Sequence, residues 1–261
     1  MIKALLSRIK QGYHTGPFPA KPPVLPERFR GAPVLHEERC DRCRACAGIC
    51  PVGAIVAAEA RVHIDLGKCI FCGDCAGACS RGAIEFSGSH RLAVNRREDL
   101  LISSDGMKAA QAIDRHSRRI FGRSFKLRQV SAGGCNACEA DTNVLTTLVY
   151  DLGRFGIQFV ASPRHADGIL VTGPVTRNME LALRKTYDAV PSPKFVIAVG
   201  ACAISGGLYR GHAETNSGIG DIVPVDLYIP GCPPHPYTIL DGLLTFLGLC
   251  ADGAPTADGR H

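Results

Sequence analysis

Eight of the thirteen cysteines in this 261-residue chain fall in two runs of identical spacing. Cys40, Cys43, Cys46 and Cys50 form one C-x2-C-x2-C-x3-C run, and Cys69, Cys72, Cys75 and Cys79 form the other. The segments around them, CDRCRACAGICPVGAI and CIFCGDCAGACSRGAI, repeat each other at an offset of 29 residues. Three thiolates at a spacing of three wrap one face of a cubane, and the fourth points away to a neighbouring cluster. The spacing therefore predicts crossed sets. Cys40, Cys43, Cys46 and Cys79 would hold one [4Fe–4S] cluster, and Cys69, Cys72, Cys75 and Cys50 the other. Zinc prefers separated cysteine pairs, so a third cysteine at this spacing fits it poorly. Pro51 follows Cys50, whereas Ser80 follows Cys79. A local change in backbone stiffness is expected there, with the ligands intact.

Four more cysteines look scattered: Cys135, Cys138, Cys202 and Cys232. Each lies in a glycine-rich loop after an apolar, β-branched run. SAGGCNACE follows KLRQVS, GACAISGG follows KFVIAVG, and PGCPPHP follows VPVDLYIPG. Open α/β sheets bind ligands at the carboxyl ends of their strands, so these three loops should converge. Glycine lets backbone approach a bulky group closely. The plainer alternative is buried structural thiols. Cys250, at the end of a predicted helix, belongs to no such loop. Glu139, next to Cys138, is a candidate proton relay, or simply a carboxylate favoured at a helix start. Arg164 and His165 fall in a loop after GIQFVA, toward the same edge. His63, His90, His116 and His235 offer no metal-ligand pairing.

The elements that must position these groups read in two textures. GIQFVA, GILVTG and KFVIAVG are short buried-strand signatures, separated by helical patterns such as MELALRKTYDAV over 179–190. Helices are also predicted over 141–153, capped by Asp141, over 236–249, and within 105–121. The expected fold is α/β: a flavodoxin-like parallel-sheet domain over 126–250, preceded by a small α+β two-[4Fe–4S] ferredoxin domain over 36–90. Residues 91–125 would connect them, and residues 1–35 would be a basic amphipathic helix followed by a proline-rich arm.

Formal net charge is +6, concentrated at the start: Lys3, Arg8, Lys10, Lys21, Arg28 and Arg30 stand against Glu27 alone within residues 1–30. Ile2, Leu5, Leu6 and Ile9 recur at helical spacing between the basic residues, which suits an anionic membrane surface or a protein partner. MIKALLSRIKQGYHTG lacks the apolar core and cleavage site of a secretory signal, and a twin-Arg pair. A reducing compartment is therefore expected, where clustered cysteines mean metal or redox chemistry. No run of 18 apolar residues exists to span a bilayer. Trp is absent and aromatics are 6%, and no nucleic-acid motif accompanies the basic start, so no nucleic-acid partner is expected.

Several segments carry a family resemblance. GGCNACE, SPRHADGILVTGPVT, KFVIAVGACAISGG and VPVDLYIPGCPP resemble the small subunit of group 4 [NiFe]-hydrogenases and its homologue, the B-type subunit of respiratory complex I. The basic N-terminal helix, PERFRGAPVL, both cysteine runs and LAVNRRED resemble the two-cluster ferredoxin subunit of the same complexes. The chain thus looks like a fusion of two neighbouring subunits of a formate-hydrogenlyase-type complex. The resemblance implies that Cys135, Cys138, Cys202 and Cys232 ligate a proximal [4Fe–4S] cluster, the third of the chain. The B-type subunit of complex I has two adjacent cysteines, whereas Asn136 and Ala137 separate Cys135 from Cys138, as in hydrogenases. Implied partners are a [NiFe]-type large subunit, membrane-embedded complex I-like subunits, and a ferredoxin or formate dehydrogenase-type donor. The nickel would be theirs, since no second CxxC in a DPC context occurs here. The implied location is peripheral, on the cytoplasmic side of the inner membrane. The alternative is the same relay in a complex I-related oxidoreductase without hydrogenase activity.

Overall fold

The computed structural model describes residues 2–12, 14–57 and 61–250. In chain order the first part holds α1 (Ile2–Gln11), β1 (Pro33–Leu35), α2 (Ala45–Ile49), β2 (Ile55–Ala57), β3 (Val62–Asp65), α3 (Asp74–Gly77), β4 (Ile84–Phe86) and β5 (Leu101–Ile102). The second part holds α4 (Arg115–Phe121), β6 (Phe125–Ser131), α5 (Ala137–Val144), β7 (Ile157–Phe159), β8 (Gly168–Thr172), α6 (Arg177–Ala189), β9 (Phe195–Val199), α7 (Ala201–Ser205), β10 (Leu227–Ile229) and α8 (Pro236–Phe246).

The second part is an α/β domain around a five-stranded parallel sheet of order β10-β9-β8-β6-β7. Its central strand β8 is buried at every residue, as its unbroken GILVT run requires of a strand covered on both faces. Alternation sends Ile169 and Val171 to one face and Leu170 to the other. Ile169, Val171, Val196 and Ala198 share a core with Ile64, Leu66 and Leu100 of the first part. The opposite face packs Leu170, Ile197 and Val199 against Ile239, Leu240, Leu243 and Leu244 of α8. Each of these side chains contributes about 1.5–3 kcal/mol by leaving water.

The first part is the small ferredoxin-like unit. β1 pairs antiparallel with β4, and β2, β3 and β5 form a second antiparallel sheet. Residues 91–125 do more than span a gap. β5 extends the ferredoxin sheet, and Val94 bridges to Tyr228 beside β10. The proline-rich arm is tied down where Arg154 donates to the Gly16 and Phe18 carbonyls, at 2.8 and 2.5 Å. Phe18 is buried against His90 and Tyr237. Among the described residues α1 buries no side chain, and Ile2, Leu5, Leu6 and Ile9 are all exposed. No helix among the described residues is long and apolar enough to cross a membrane.

Two helices depart from the sequence reading. α5 begins at Ala137, so Asp141 lies inside it and does not cap it; the cap is Asn136, in the left-handed region at φ 70°. α5 stops near Val144 because Thr146 and Thr147 turn their hydroxyls onto the Asn143 and Val144 carbonyls. The helix expected within 105–121 is confined to Arg115–Phe121, capped by Asp114, whose carboxylate accepts from the His116 and Ser117 N–H groups.

Candidate metal centres

Left-handed backbone shapes all three of the chain's C-x2-C turns. In the CNAC turn the residue after the first cysteine is left-handed, Asn136 at φ 70°, whereas in the two runs it is the residue ahead of the second cysteine, Arg42 at 61° and Phe71 at 56°. In the two runs the residue after it is left-handed as well, Arg44 at 63° and Gly73 at 85°. Such alternation aims successive N–H groups into one concavity, a nest for an anionic group. Forcing a side chain into this region costs roughly 1–2 kcal/mol per residue. The last cysteine of each run closes a second turn. Cys50 Sγ accepts from Ala54 N–H at 3.3 Å, and Cys79 Sγ from Ala83 N–H at 3.2 Å. Ser80 in place of proline leaves that turn unchanged.

The side chains of the two runs gather in two mixed groups. Burial raises the Cys46 thiol pKa, and the thiols that push it further are Cys40, Cys79 and Cys43. Cys69 is pushed up to about 12, chiefly by burial, with Cys75, Cys50 and Cys72 adding to it. Cys75 rises to about 11, again chiefly by burial; it feels Cys72, Cys50 and also Cys46, so the two quartets adjoin. A cavity of about 290 Å³ is lined by Cys40, Cys43, Cys46 and Cys79, and one of about 20 Å³ by Cys50, Cys69, Cys72 and Cys75.

The scattered four also meet. Cys135 and Cys138 follow β6, Cys202 opens α7 after β9, and Cys232 follows β10, all at the carboxyl edge of the sheet. Burial raises the Cys138 thiol most, and Cys202, Glu139, Cys232 and Cys135 add to it. Cys202 is pushed up to about 11 by burial first, then by Cys232 and Cys135. Gly200, at φ 89°, leaves the room: a Cβ there would stand 2.6 Å from Cys138 Sγ.

The donor set fits iron–sulfur clusters. Buried thiols with raised pKa values need a cationic core to hold them as thiolates, and metal binding supplies it by displacing their protons. Among the described residues, no three His, Cys, Asp or Glu side chains are close enough to hold a single metal ion. Tetrahedral zinc, with Zn–S near 2.3 Å, would draw four sulfurs to within about 4 Å of one another.

Neighbouring groups set the second and third sites in place. Glu139 is buried, and its Oε1 accepts from Ser131 Oγ at 2.6 Å and Thr172 Oγ1 at 2.7 Å. Both hydroxyls end predicted strands, a signal the sequence carried unused. Ser205 Oγ donates to Gly67 O at 2.7 Å, joining the helix of Cys202 to the turn before Cys69. Asp65 holds that turn, accepting from Gly67 N–H at 3.0 Å and Arg97 Nη2 at 2.7 Å. Between the second and third quartets lies a cavity of about 260 Å³, with Ile70 and Phe71 and the Cys232–Pro234 loop in its walls. Asp141 lines it, its pKa raised by burial.

Arg164 and His165 are exposed, and neither side chain makes a hydrogen bond or ion pair with a described residue. Cys250 stands apart, pushed up to about 11 by burial and by Asp241. His90 and Asp241 form a buried pair at 3.8 Å. Burial lowers the histidine to about 4 and raises the carboxyl to about 6.

Residues 135–246 match the family described as NADH ubiquinone oxidoreductase, 20 Kd subunit, and residues 32–87 match the 4Fe-4S dicluster domain. A probable membrane-bound hydrogenase subunit of Pyrococcus furiosus is 43% identical over 129 residues, 49% of this chain and 77% of that protein. Formate hydrogenlyase subunit 7 of Escherichia coli is 45% identical over 127 residues, 49% of this chain and half of that protein's length. The B-type subunit of the NADH-quinone oxidoreductase of Bdellovibrio bacteriovorus is 35% identical over 173 residues, 62% of this chain and 91% of that protein.

Proposed function

This chain belongs to the family of the 20 kDa subunit of NADH ubiquinone oxidoreductase, with a 4Fe-4S dicluster domain ahead of that region, and from that premise we propose that it relays electrons through three [4Fe–4S] clusters to or from the catalytic large subunit of a membrane-associated, group 4 [NiFe]-hydrogenase-type complex. It is the electron-transfer subunit of an oxidoreductase and is not catalytic alone. The observation that carries the reading is the convergence of Cys135, Cys138, Cys202 and Cys232 at one sheet edge, with the second cysteine run across a shared cavity.

When bound, a [4Fe–4S] cluster supplies a carrier for single electrons at low potential. The chain's own residues do the rest. The left-handed turns at Arg42, Phe71 and Asn136 present N–H groups to the anionic sites. The Ser205–Gly67 bond and the common core hold the two domains in one register, so the separation between sites is set by packing. The twelve cysteines of the runs and loops are the proposed ligands. The exposed apolar stripe of α1, with Lys3 and Lys10, would rest on the cytoplasmic face of the inner membrane beside the membrane-embedded subunits.

The spacing of Cys135 and Cys138 favours the hydrogenase form, and purification tests it. The chain should co-purify with a large subunit carrying two CxxC pairs and nickel. A large subunit without them would assign the relay to a complex I-related oxidoreductase instead.

Glu139 is the proposed proton relay beside the third site. Glu139→Gln keeps an Oε1 to accept from Ser131 and Thr172 but cannot carry the proton. Hydrogen turnover in the complex should fall about tenfold or more, with iron content unchanged. Full turnover in the variant would remove the role.

A further inference from the structure

The two cysteine runs are copies, so positions where they differ show what each copy is for. Because the sets cross, each quartet has three equivalent neighbours: the residues before and after its second cysteine, and the residue two beyond its fourth. Around the second quartet these are Phe71, Gly73 and Val52, and around the first they are Arg42, Arg44 and Arg81. The environments differ in the same sense. The second quartet's cavity is small and walled by Val52, Ile55, Ile64 and Phe86. On its outer side Arg30 of the arm lies against Gly73 and donates to the Phe71 carbonyl at 3.5 Å. The first quartet's cavity is more than ten times larger and has Arg42 and Arg44 in its wall.

All three arginines are exposed, and so is Cys43 between the first two. Among the described residues none of the three makes an ion pair. Neighbouring Arg39 and Arg61 are engaged, with Glu85 at 2.8 Å and Asp105 at 3.1 Å. Asp41 also lines this cavity; its carboxylate accepts from the Cys43 N–H at 3.1 Å and feels the charge of Arg81 without forming an ion pair with it. Arg44 holds left-handed backbone at a cost that Gly73 avoids at the equivalent position of the second copy, while Arg42 and its equivalent Phe71 both bear that cost. At Arg44 the charge is kept despite the strain.

We infer that Arg42, Arg44 and Arg81 form the docking surface for an acidic one-electron carrier protein, which meets the chain at the first quartet. The inference rests on that quartet's holding a cluster. One electron leaves the carrier's reduced centre, which is thereby oxidised, and enters the first site, which is reduced; no bond breaks and no proton moves. An exposed, net basic rim attracts such a partner at long range and orients it. The repeat is thereby polarised, with one end open to a mobile donor and the other closed against the chain's own α/β domain.

The test uses the full, anaerobically prepared chain with its clusters in stopped-flow reduction. One donor is a dithionite-reduced acidic two-cluster ferredoxin, and the other is reduced methyl viologen, a small cation. The variant is Arg42→Asn, Arg44→Gly and Arg81→Gln together; asparagine and glycine both accept the left-handed turn. With ferredoxin the wild-type rate should fall as salt rises. The variant should be slower by about tenfold at low salt, with the gap closing at high salt. With viologen the variant should be as fast or faster. A variant with full iron content that takes electrons from ferredoxin at the wild-type rate would overturn the inference. Equal slowing with both donors would mean damage to the turn. Arg81→Gln alone, outside the tight C-x2-C turns, then decides by the same comparison, with a smaller gap. Wild-type chain that neither donor reduces, or that lacks iron at the first quartet, would overturn the cluster reading and the inference with it.

Discussion

A Cys79→Ala chain should lose about four iron atoms, those proposed to be held with Cys40, Cys43 and Cys46, although Cys79 belongs to the other run. The reason lies in the turns. Three cysteines spaced by three share one concavity, while the fourth follows a short helix and turns out of it. Cys79 lines the first quartet's cavity beside Cys40, Cys43 and Cys46, and Cys50 lines the second. Double variants make the crossing visible. Cys79→Ala with Cys43→Ala should lose no more iron than Cys79→Ala alone, because both remove the same cluster. Cys79→Ala with Cys72→Ala should lose about eight iron atoms. The reverse pattern would mean that each run closes on itself.

Cys202→Ala should have a larger functional effect with the same iron loss. Cys202 is buried at the start of α7, and alanine fills its place without strain. The third quartet would lose one of its four thiolates, the remaining three come from two separate loops, and the nearby Glu139 is held through Oε1 by Ser131 and Thr172. About four iron atoms should disappear, both ferredoxin-type signals should remain in EPR, and hydrogen turnover driven by a ferredoxin donor should fall at least a hundredfold. Iron content unchanged in this variant would show that Cys202 is no ligand. Turnover unchanged with the iron lost would show that electrons bypass the α/β domain.

Much of this arrangement was legible in the chain. The strands at GILVTG and KFVIAVG announce themselves because a doubly covered parallel strand must be apolar at every residue, and the sheet then brings loops almost a hundred residues apart to one edge. The start of α5 was not legible. Helix signals such as Asp141 describe local preference, whereas the CNAC turn sets Asn136 left-handed and begins the helix earlier. Nor was the tie between Ser205 and Gly67, since a hydroxyl bonded 138 residues away leaves no local pattern. The contrast between Arg42, Arg44, Arg81 and Phe71, Gly73, Val52 stands in the sequence, but gains meaning only when burial shows which copy faces solvent.

The central claim is that one chain carries three clusters, two in the repeat and one at the sheet edge. Iron and acid-labile sulfide, counted per chain on protein prepared without oxygen and paired with spin quantitation after full reduction, test it most directly. The expected result is about 12 iron atoms and three reducible centres. About 8 or fewer, or zinc in place of iron, would contradict it.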